Sequence, residues 1–394
     1  MKSDFFKYQA QTSPHPLLLE IKKAEGSYVY DTSDNKYLDF IAGVSANTLG
    51  HKPAPVIEAI KDQLDRYMHV MVYGEFIQEP QLELTKIIAA YLPESLNCTY
   101  LTNSGTEATE GALKLAKRAT GRFEIVSAKN AYHGNTQGSM SVCGKEEQNA
   151  AFRPLIPGVS FLEFNKEADL LKITEKTAGV ILETIQGGAG FIEPQNNYLK
   201  KVRERCNQVG ALLILDEIQS GIGRTGSFFA FQQYDITPDI VITGKGLGGG
   251  MPIGAFISSQ TNMNLFVSNP KLGHITTFGG HPVICAAALA TLRTLFSSTL
   301  MEQTTEKEAL IRKLLVHKTI VEIRGKGLML ALIMESIEIT NHLILSGMKT
   351  GILLFWLLYE PRAVRITPPL TISHEEIKIG CKLILDILNK KRVG

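Results

Sequence analysis

Several things that would point to an exported, membrane-spanning or nucleic-acid-binding chain are scarce or missing in these 394 residues. Cysteine is sparse. Cys98, Cys143, Cys206, Cys285 and Cys381 lie far apart, form no CxxC pair and are odd in number, which argues against a disulfide framework and for reduced thiols in a cytoplasm. An excess of one charge is lacking as well, with 41 Lys and Arg against 39 Asp and Glu. No net field draws the chain to nucleic acid or an anionic membrane, so the partner is expected to be a small molecule. The apolar run over residues 351–359 falls well short of the roughly 20 apolar residues a bilayer requires, and reads as a buried strand. The first ten residues mix Lys2, Asp4 and Lys7 with two Phe and hold no apolar signal-peptide core. The nine histidines include no HExxH, and no metal is expected.

What is present reads as an ordinary globular protein, 44% apolar and 20% charged, long enough for more than one domain. Residues 178–182, 211–215 and 239–243 are short apolar runs bounded by polar or turn-forming residues, the pattern of parallel strands buried on both faces. Between the first two, Leu199, Val202, Cys206 and Val209 recur at helical spacing ahead of Gly210, which makes a βαβ unit. A helix is expected over 106–120, with Lys117 and Arg118 near its end and Gly121 closing it. Beyond about residue 290 come a strand over 328–334 and a final amphipathic helix from His374. The expected fold is α/β: a large domain over 51–290 with a mostly parallel sheet flanked by helices, a smaller α+β domain over 291–394, and a segment over 1–50 packing with the small domain.

The chemistry concentrates at strand ends. Lys245 stands in Thr243-Gly-Lys-Gly-Leu-Gly-Gly-Gly250, directly after an apolar run. Glycines on both sides admit a bulky ligand to the backbone, and burial lowers an amine toward Schiff-base chemistry; the bland alternative is a flexible surface loop. A P-loop does not fit, because its GxxxxGK[ST] pattern needs Gly at Asp239 and Ser or Thr at Gly246. Asp216 follows the second strand at the carboxyl end of the sheet, where an acid can hold a pyridinium proton; a lysine paired with such an acid points to pyridoxal 5′-phosphate. The alternative there is a helix cap. Gly221-Ile-Gly-Arg-Thr-Gly226 is a literal GxGxxG, but Asp216 to Ser220 separate it from the strand and no clear helix start follows. Ser104, Gly105 and Thr106 open a helix whose free N–H groups suit a phosphate, while Ser104 and Glu107 also have the spacing of a capping box.

Taken in order, these motifs resemble the class III, fold-type I aminotransferases, the group that includes acetylornithine, ornithine, 4-aminobutyrate and diaminopelargonate aminotransferases. The resemblance runs from Val29-Tyr-Asp-Thr, Tyr37-Leu-Asp-Phe and Leu49-Gly-His51 through Tyr132-His-Gly134 and Thr277-Phe-Gly-Gly280 to Arg324-Gly-Lys-Gly327 and Arg365-Ile-Thr-Pro-Pro369. It implies that Lys245 holds the cofactor as a Schiff base and shuttles the proton. Asp216 would pair with the pyridine nitrogen and Gln219 with the ring hydroxyl, Ile218 and Tyr132 would sandwich the ring, and Gly105 and Thr106 would hold the phosphate. It also implies a homodimer in which Thr277 reaches the neighbouring protomer's phosphate. Arg365 and Glu183 are expected substrate contacts, Arg365 gripping a carboxylate. His133 is left out of the catalytic set as a packing residue.

The resemblance implies transfer of an amino group from an ω-amino donor, ornithine or N-acylornithine, to 2-oxoglutarate, giving glutamate. Three departures bear on the donor. Gly188 stands where ornithine-type enzymes carry a glutamate that masks the arginine, Asn135 replaces an arginine after the Tyr-His-Gly turn, and Val44 replaces an aromatic residue. Donors of the 4-aminobutyrate, lysine, diamine or diaminopelargonate type stay open. So do two remote classes, a nicotinamide oxidoreductase using residues 221–226 and a non-catalytic protein that binds pyridoxal phosphate.

Overall fold

The computed structural model describes residues 2–390. In chain order the strands are β1 (Ile21–Glu25), β2 (Tyr28–Asp31), β3 (Lys36–Asp39), β4 (Cys98–Thr102), β5 (Glu124–Ala128), β6 (Val159–Leu162), β7 (Thr177–Glu183) and β8 (Leu212–Asp216). They continue with β9 (Ile240–Gly244), β10 (Gly254–Ser258), β11 (Ile320–Lys326), β12 (Met329–Met334), β13 (Ile352–Leu353), β14 (Phe355–Trp356) and β15 (Ala363–Ile366). The large sheet has seven strands in the order β4-β10-β9-β8-β7-β5-β6. All of its pairings are parallel except the two made by β10.

Burial on both faces explains the composition of the central strands. Every residue of β7 and β9 is buried, and helices cover the sheet. The helix Gly105–Thr120 packs Ala108, Ala112, Leu115 and Ala116 inward and ends at Gly121, whose φ of 68° is the left-handed closure that glycine adopts freely. Gly111 lets that helix settle on the sheet: a Cβ there would lie 2.2 Å from the Phe256 ring. The helix Tyr198–Val209 buries Leu199, Val202, Cys206 and Val209, as their spacing predicts, and ends at Gly210.

Two four-stranded sheets complete the fold, β11-β12-β15-β14 near the C-terminus and β1-β2-β3-β13 near the N-terminus. The run over 351–359 is not one buried strand. Its first half, β13, pairs in parallel with β3, and its second half, β14, pairs antiparallel with β15. Leu354 is buried between them, whereas Phe355 is 39% exposed and Leu358 48%. An apolar run looks continuous in sequence even where the chain passes from one sheet to the next.

The register of the large sheet decides where its side chains meet. Glu183 at the end of β7 lies opposite Asp216 at the end of β8. Lys245 follows the last residue of the neighbouring β9. Three consecutive carboxyl ends therefore present an acid, an acid and an amine at one edge.

Candidate active site

That edge opens on a cavity of about 570 Å³. Lys245, Asp216, Ile218, Gln219, Tyr132, Gly105, Thr106, Glu183 and Arg365 all line it, so structure brings together nine of the eleven residues singled out in the sequence. Ser104 and Thr277 are the other two. Ser104 caps the helix Gly105–Thr120, its Oγ accepting from the Glu107 N–H at 3.4 Å. The reciprocal half of the capping box does not form, since the Glu107 carboxylate accepts instead from the Asn103 N–H at 2.8 Å. Thr277 is exposed and does not line the cavity.

Asp216 is held from two sides. Its Oδ1 accepts from the Ile218 N–H at 2.9 Å, and its Oδ2 lies 2.7 Å from His133 Nδ1. Both side chains of that pair are buried. His133, set aside in the sequence as a packing residue, thus touches the candidate pyridinium partner directly. The Tyr132-His-Gly134 turn contained the signal, but only folding brings it across 83 residues to Asp216.

Glu183 accepts from the Gly187 N–H at 2.9 Å and from the Tyr132 N–H at 3.3 Å. Burial nevertheless pushes its carboxyl up to about 7, with Asp216 adding to the rise and His133 opposing it. The Lys245 amine is pushed the other way. Burial lowers it below the usual lysine range and Arg365 adds to the drop, while Asp216 and Glu183 partly restore it. Lys245 also carries a φ of 41°, a left-handed backbone that an L side chain rarely adopts.

At the start of the helix Gly105–Thr120, Gly105 comes so close to Ile218 that a Cβ would lie 2.6 Å from Ile218 Cδ1. Only a glycine lets the helix start and the Ile218 side chain share this wall. Thr106 Oγ1 is already bonded to Thr136 Oγ1 at 2.8 Å and Ser139 Oγ at 2.6 Å. Gly105 and Thr106, the first residues of the helix, line the cavity, and the first N–H groups of a helix have no partner within it.

Arg365 projects from β15, which lies between β12 and β14. It is 7% exposed, its Nε and Nη1 are buried without partners, and its guanidinium sits 5.6 Å from the Phe191 ring centroid. Burial lowers it to about 10. A buried, partly unsatisfied guanidinium facing a cavity is suited to an incoming carboxylate. Around it the wall is apolar, formed by Ile185, Phe355, Trp356, Leu357 and Leu358. Gly188 lies under Tyr359: a Cβ there would stand 3.0 Å from one ring carbon, and its carbonyl accepts from the Tyr359 N–H at 2.9 Å.

Comparison with known proteins gives a consistent picture. The family model described as aminotransferase class-III matches residues 8–388. An acetylornithine aminotransferase from Caldanaerobacter subterraneus is 35% identical over 98% of both chains. A putrescine aminotransferase from Pectobacterium atrosepticum is 39% identical over 91% of this chain and 80% of its own. Among solved structures, the ornithine aminotransferase of Toxoplasma gondii ME49 superposes with a TM-score of 0.91 at 29% identity, covering 99% of this chain and 95% of its own.

Proposed function

Because the chain belongs to the class III aminotransferases and is a pyridoxal-phosphate-dependent transaminase, we propose that it moves an amino group from an ω-amino donor of the ornithine or N-acylornithine type to 2-oxoglutarate, giving glutamate. The observation that carries this reading is the convergence of Lys245, Asp216 and Arg365 on one cavity, an amine, an acid and a partly unsatisfied guanidinium supplied by the ends of β9 and β8 and by β15.

The residues present fit the cofactor. Gly105 lets the Ile218 side chain sit against the helix start where a Cβ would clash at 2.6 Å, Ile218 and Tyr132 supply two walls, and Asp216 adds a carboxyl group to the lining. Bound pyridoxal phosphate supplies an electron sink for the carbon that carries the amino group. Asp216 would hold the proton on the pyridine nitrogen, and His133 and the Ile218 N–H orient the Asp216 carboxyl group for that task. Gln219 would serve the ring hydroxyl, while the N–H groups of Gly105 and Thr106 would serve the phosphate. Lys245 Nζ, with its basicity reduced by burial, would hold the cofactor and, when its amine is free, would move a proton from the amine-bearing carbon of the substrate to the cofactor. Arg365 grips the 2-oxoglutarate carboxylate with both arms of its guanidinium. Glu183 faces the same space as the substrate.

A homodimer completes the proposal, with Thr277 serving the partner's phosphate site. Support comes from apolar side chains left in the open: Met68, Phe76 and Ile77 are 64%, 58% and 92% exposed, and Phe278 is 53%. Residues 72–78 line one groove with Lys271, Leu272, His274 and Ile275, and apolar surface of this extent on a folded chain marks an interface.

A donor panel of ornithine, N-acetylornithine, 4-aminobutyrate, lysine and putrescine, each assayed with 2-oxoglutarate, tests the reading. Fastest glutamate formation with ornithine or its N-acyl form is expected. Preference for putrescine would transfer the assignment to diamines, in keeping with the relative of that name and with Gly188 and Asn135.

A further inference from the structure

Residues 221–226 match GxGxxG yet enter no helix; they form a buried turn between the large sheet and the C-terminal one. Ile222 in this turn is 1% exposed and faces the lysine loop, where a Cβ on Gly246 would lie 3.4 Å from Ile222 Cβ. Arg224 is the largest fully buried side chain described. Its Nη1 donates to the Leu328 carbonyl at 3.2 Å and to the Pro368 carbonyl, while its own carbonyl accepts from the Leu328 N–H at 3.0 Å. Its Nη2 is buried without a partner. The hairpin between β11 and β12 fits against this turn only through glycine: a Cβ on Gly327 would lie 2.5 Å from the Arg224 carbonyl oxygen.

A guanidinium buried against carbonyls alone is a costly way to fill space, and an apolar residue of similar volume is often equal or better for stability. What Arg224 contributes is geometry. Pro368 lies three residues beyond Arg365, at the exit of β15, and two residues further on Lys307 Nζ donates to the Leu370 carbonyl at 2.6 Å. Two buried cations therefore anchor the segment that carries the substrate guanidinium. Arg224 belongs to the turn that continues from Asp216 and Gln219, because the Gly221 N–H bonds back to the Glu217 carbonyl at 3.0 Å.

We propose that Arg224 is a positioning residue that sets the place of Arg365 relative to Lys245 and Asp216, and thereby governs binding of the carboxylate substrate. This rests on the assignment of Arg365 to that carboxylate. The test compares Arg224→Met, Arg365→Ala and the double variant, each as cofactor-loaded enzyme, in separate single-turnover half-reactions.

Arg224→Met is expected to keep the cofactor's absorbance and the amine half-reaction within about twofold, and to raise the half-saturating 2-oxoglutarate concentration by roughly 10- to 100-fold, as a displacement near 1 Å does. In the Arg365→Ala background the same change adds little, because both act through one group. Equal losses in both half-reactions, or full additivity in the double variant, overturn the positioning role. If Arg365→Ala alone leaves 2-oxoglutarate binding intact, the carboxylate assignment fails instead. Arg224→Lys and Gly327→Ala make the same comparison if Arg224→Met does not fold, since each retains the cation while disturbing the contact.

Discussion

The proposed role of Lys245 gives one amine two tasks, so its loss should be felt in both. Lys245→Ala is expected to retain the cofactor non-covalently, losing the absorbance band that borohydride abolishes in the parent, and to lose turnover by a factor of about 10²–10⁴ at least. Near-normal glutamate formation in the variant would remove the lysine from the mechanism. Glu183 yields a prediction in pH rather than in rate. Its carboxyl titrates near 7 in the folded chain against a usual value of 4.5, so the folded state binds the extra proton between these limits. A raised carboxyl contributes least cost below about pH 4.5 and progressively destabilises the fold as pH climbs toward 7, by about 3 kcal/mol at most. Glu183→Gln should therefore lose less stability than the parent between pH 5 and pH 8, as read by denaturant midpoints at each pH. Parallel pH profiles for the two proteins would show that Glu183 keeps an ordinary carboxyl.

At the scale of elements, the cavity is a meeting of strand ends and loops with little slack. The loop after β7 shows this at Gly188, which has no side chain to set against Arg365 and where a Cβ would stand 3.0 Å from the Tyr359 ring. Gly188→Glu requires Tyr359 to yield by a few tenths of an ångström and brings a carboxylate into the arginine's neighbourhood. The expected result is weaker 2-oxoglutarate binding by about 1.5–3 kcal/mol, the range of a hydrogen bond to a charged group, and a shift of donor preference toward ornithine. Half-saturation measured separately for donor and acceptor checks this; a change in neither places the loop away from the carboxylate.

For the whole molecule, the prediction concerns assembly. Apolar side chains from residues 68–77 and 272–278 stay open to solvent in a single chain, and burying them against a second copy leaves Thr277 at the boundary between protomers. Sedimentation equilibrium should give twice the chain mass at micromolar concentration. Ile77→Asp, which places a charge on a side chain 92% exposed in the single chain, should shift the protein toward monomer and lower activity with it. A fully active monomer would sink the shared-site reading.

Some of this was readable residue by residue. Periodicity alone marked the buried strands around 178–182, 211–215 and 239–243 and the helix that Gly210 ends, because these patterns record burial on one or two faces directly. The glycine-flanked lysine and the acid after the second strand likewise marked two strand ends that the structure brings to one cavity. Other features depend on distance in space, which a chain order does not contain. His133 reaches Asp216 only once β8 and the loop after β5 lie side by side, and Arg224 gains its meaning only when the exit of β15 folds across it. The run over 351–359 was misread for the same reason: apolarity reports that residues are covered, but not which sheet covers them. Local sequence determined which elements form and which groups can react; tertiary structure alone decided which of those groups touch, because contacts across tens or hundreds of residues follow from packing and register.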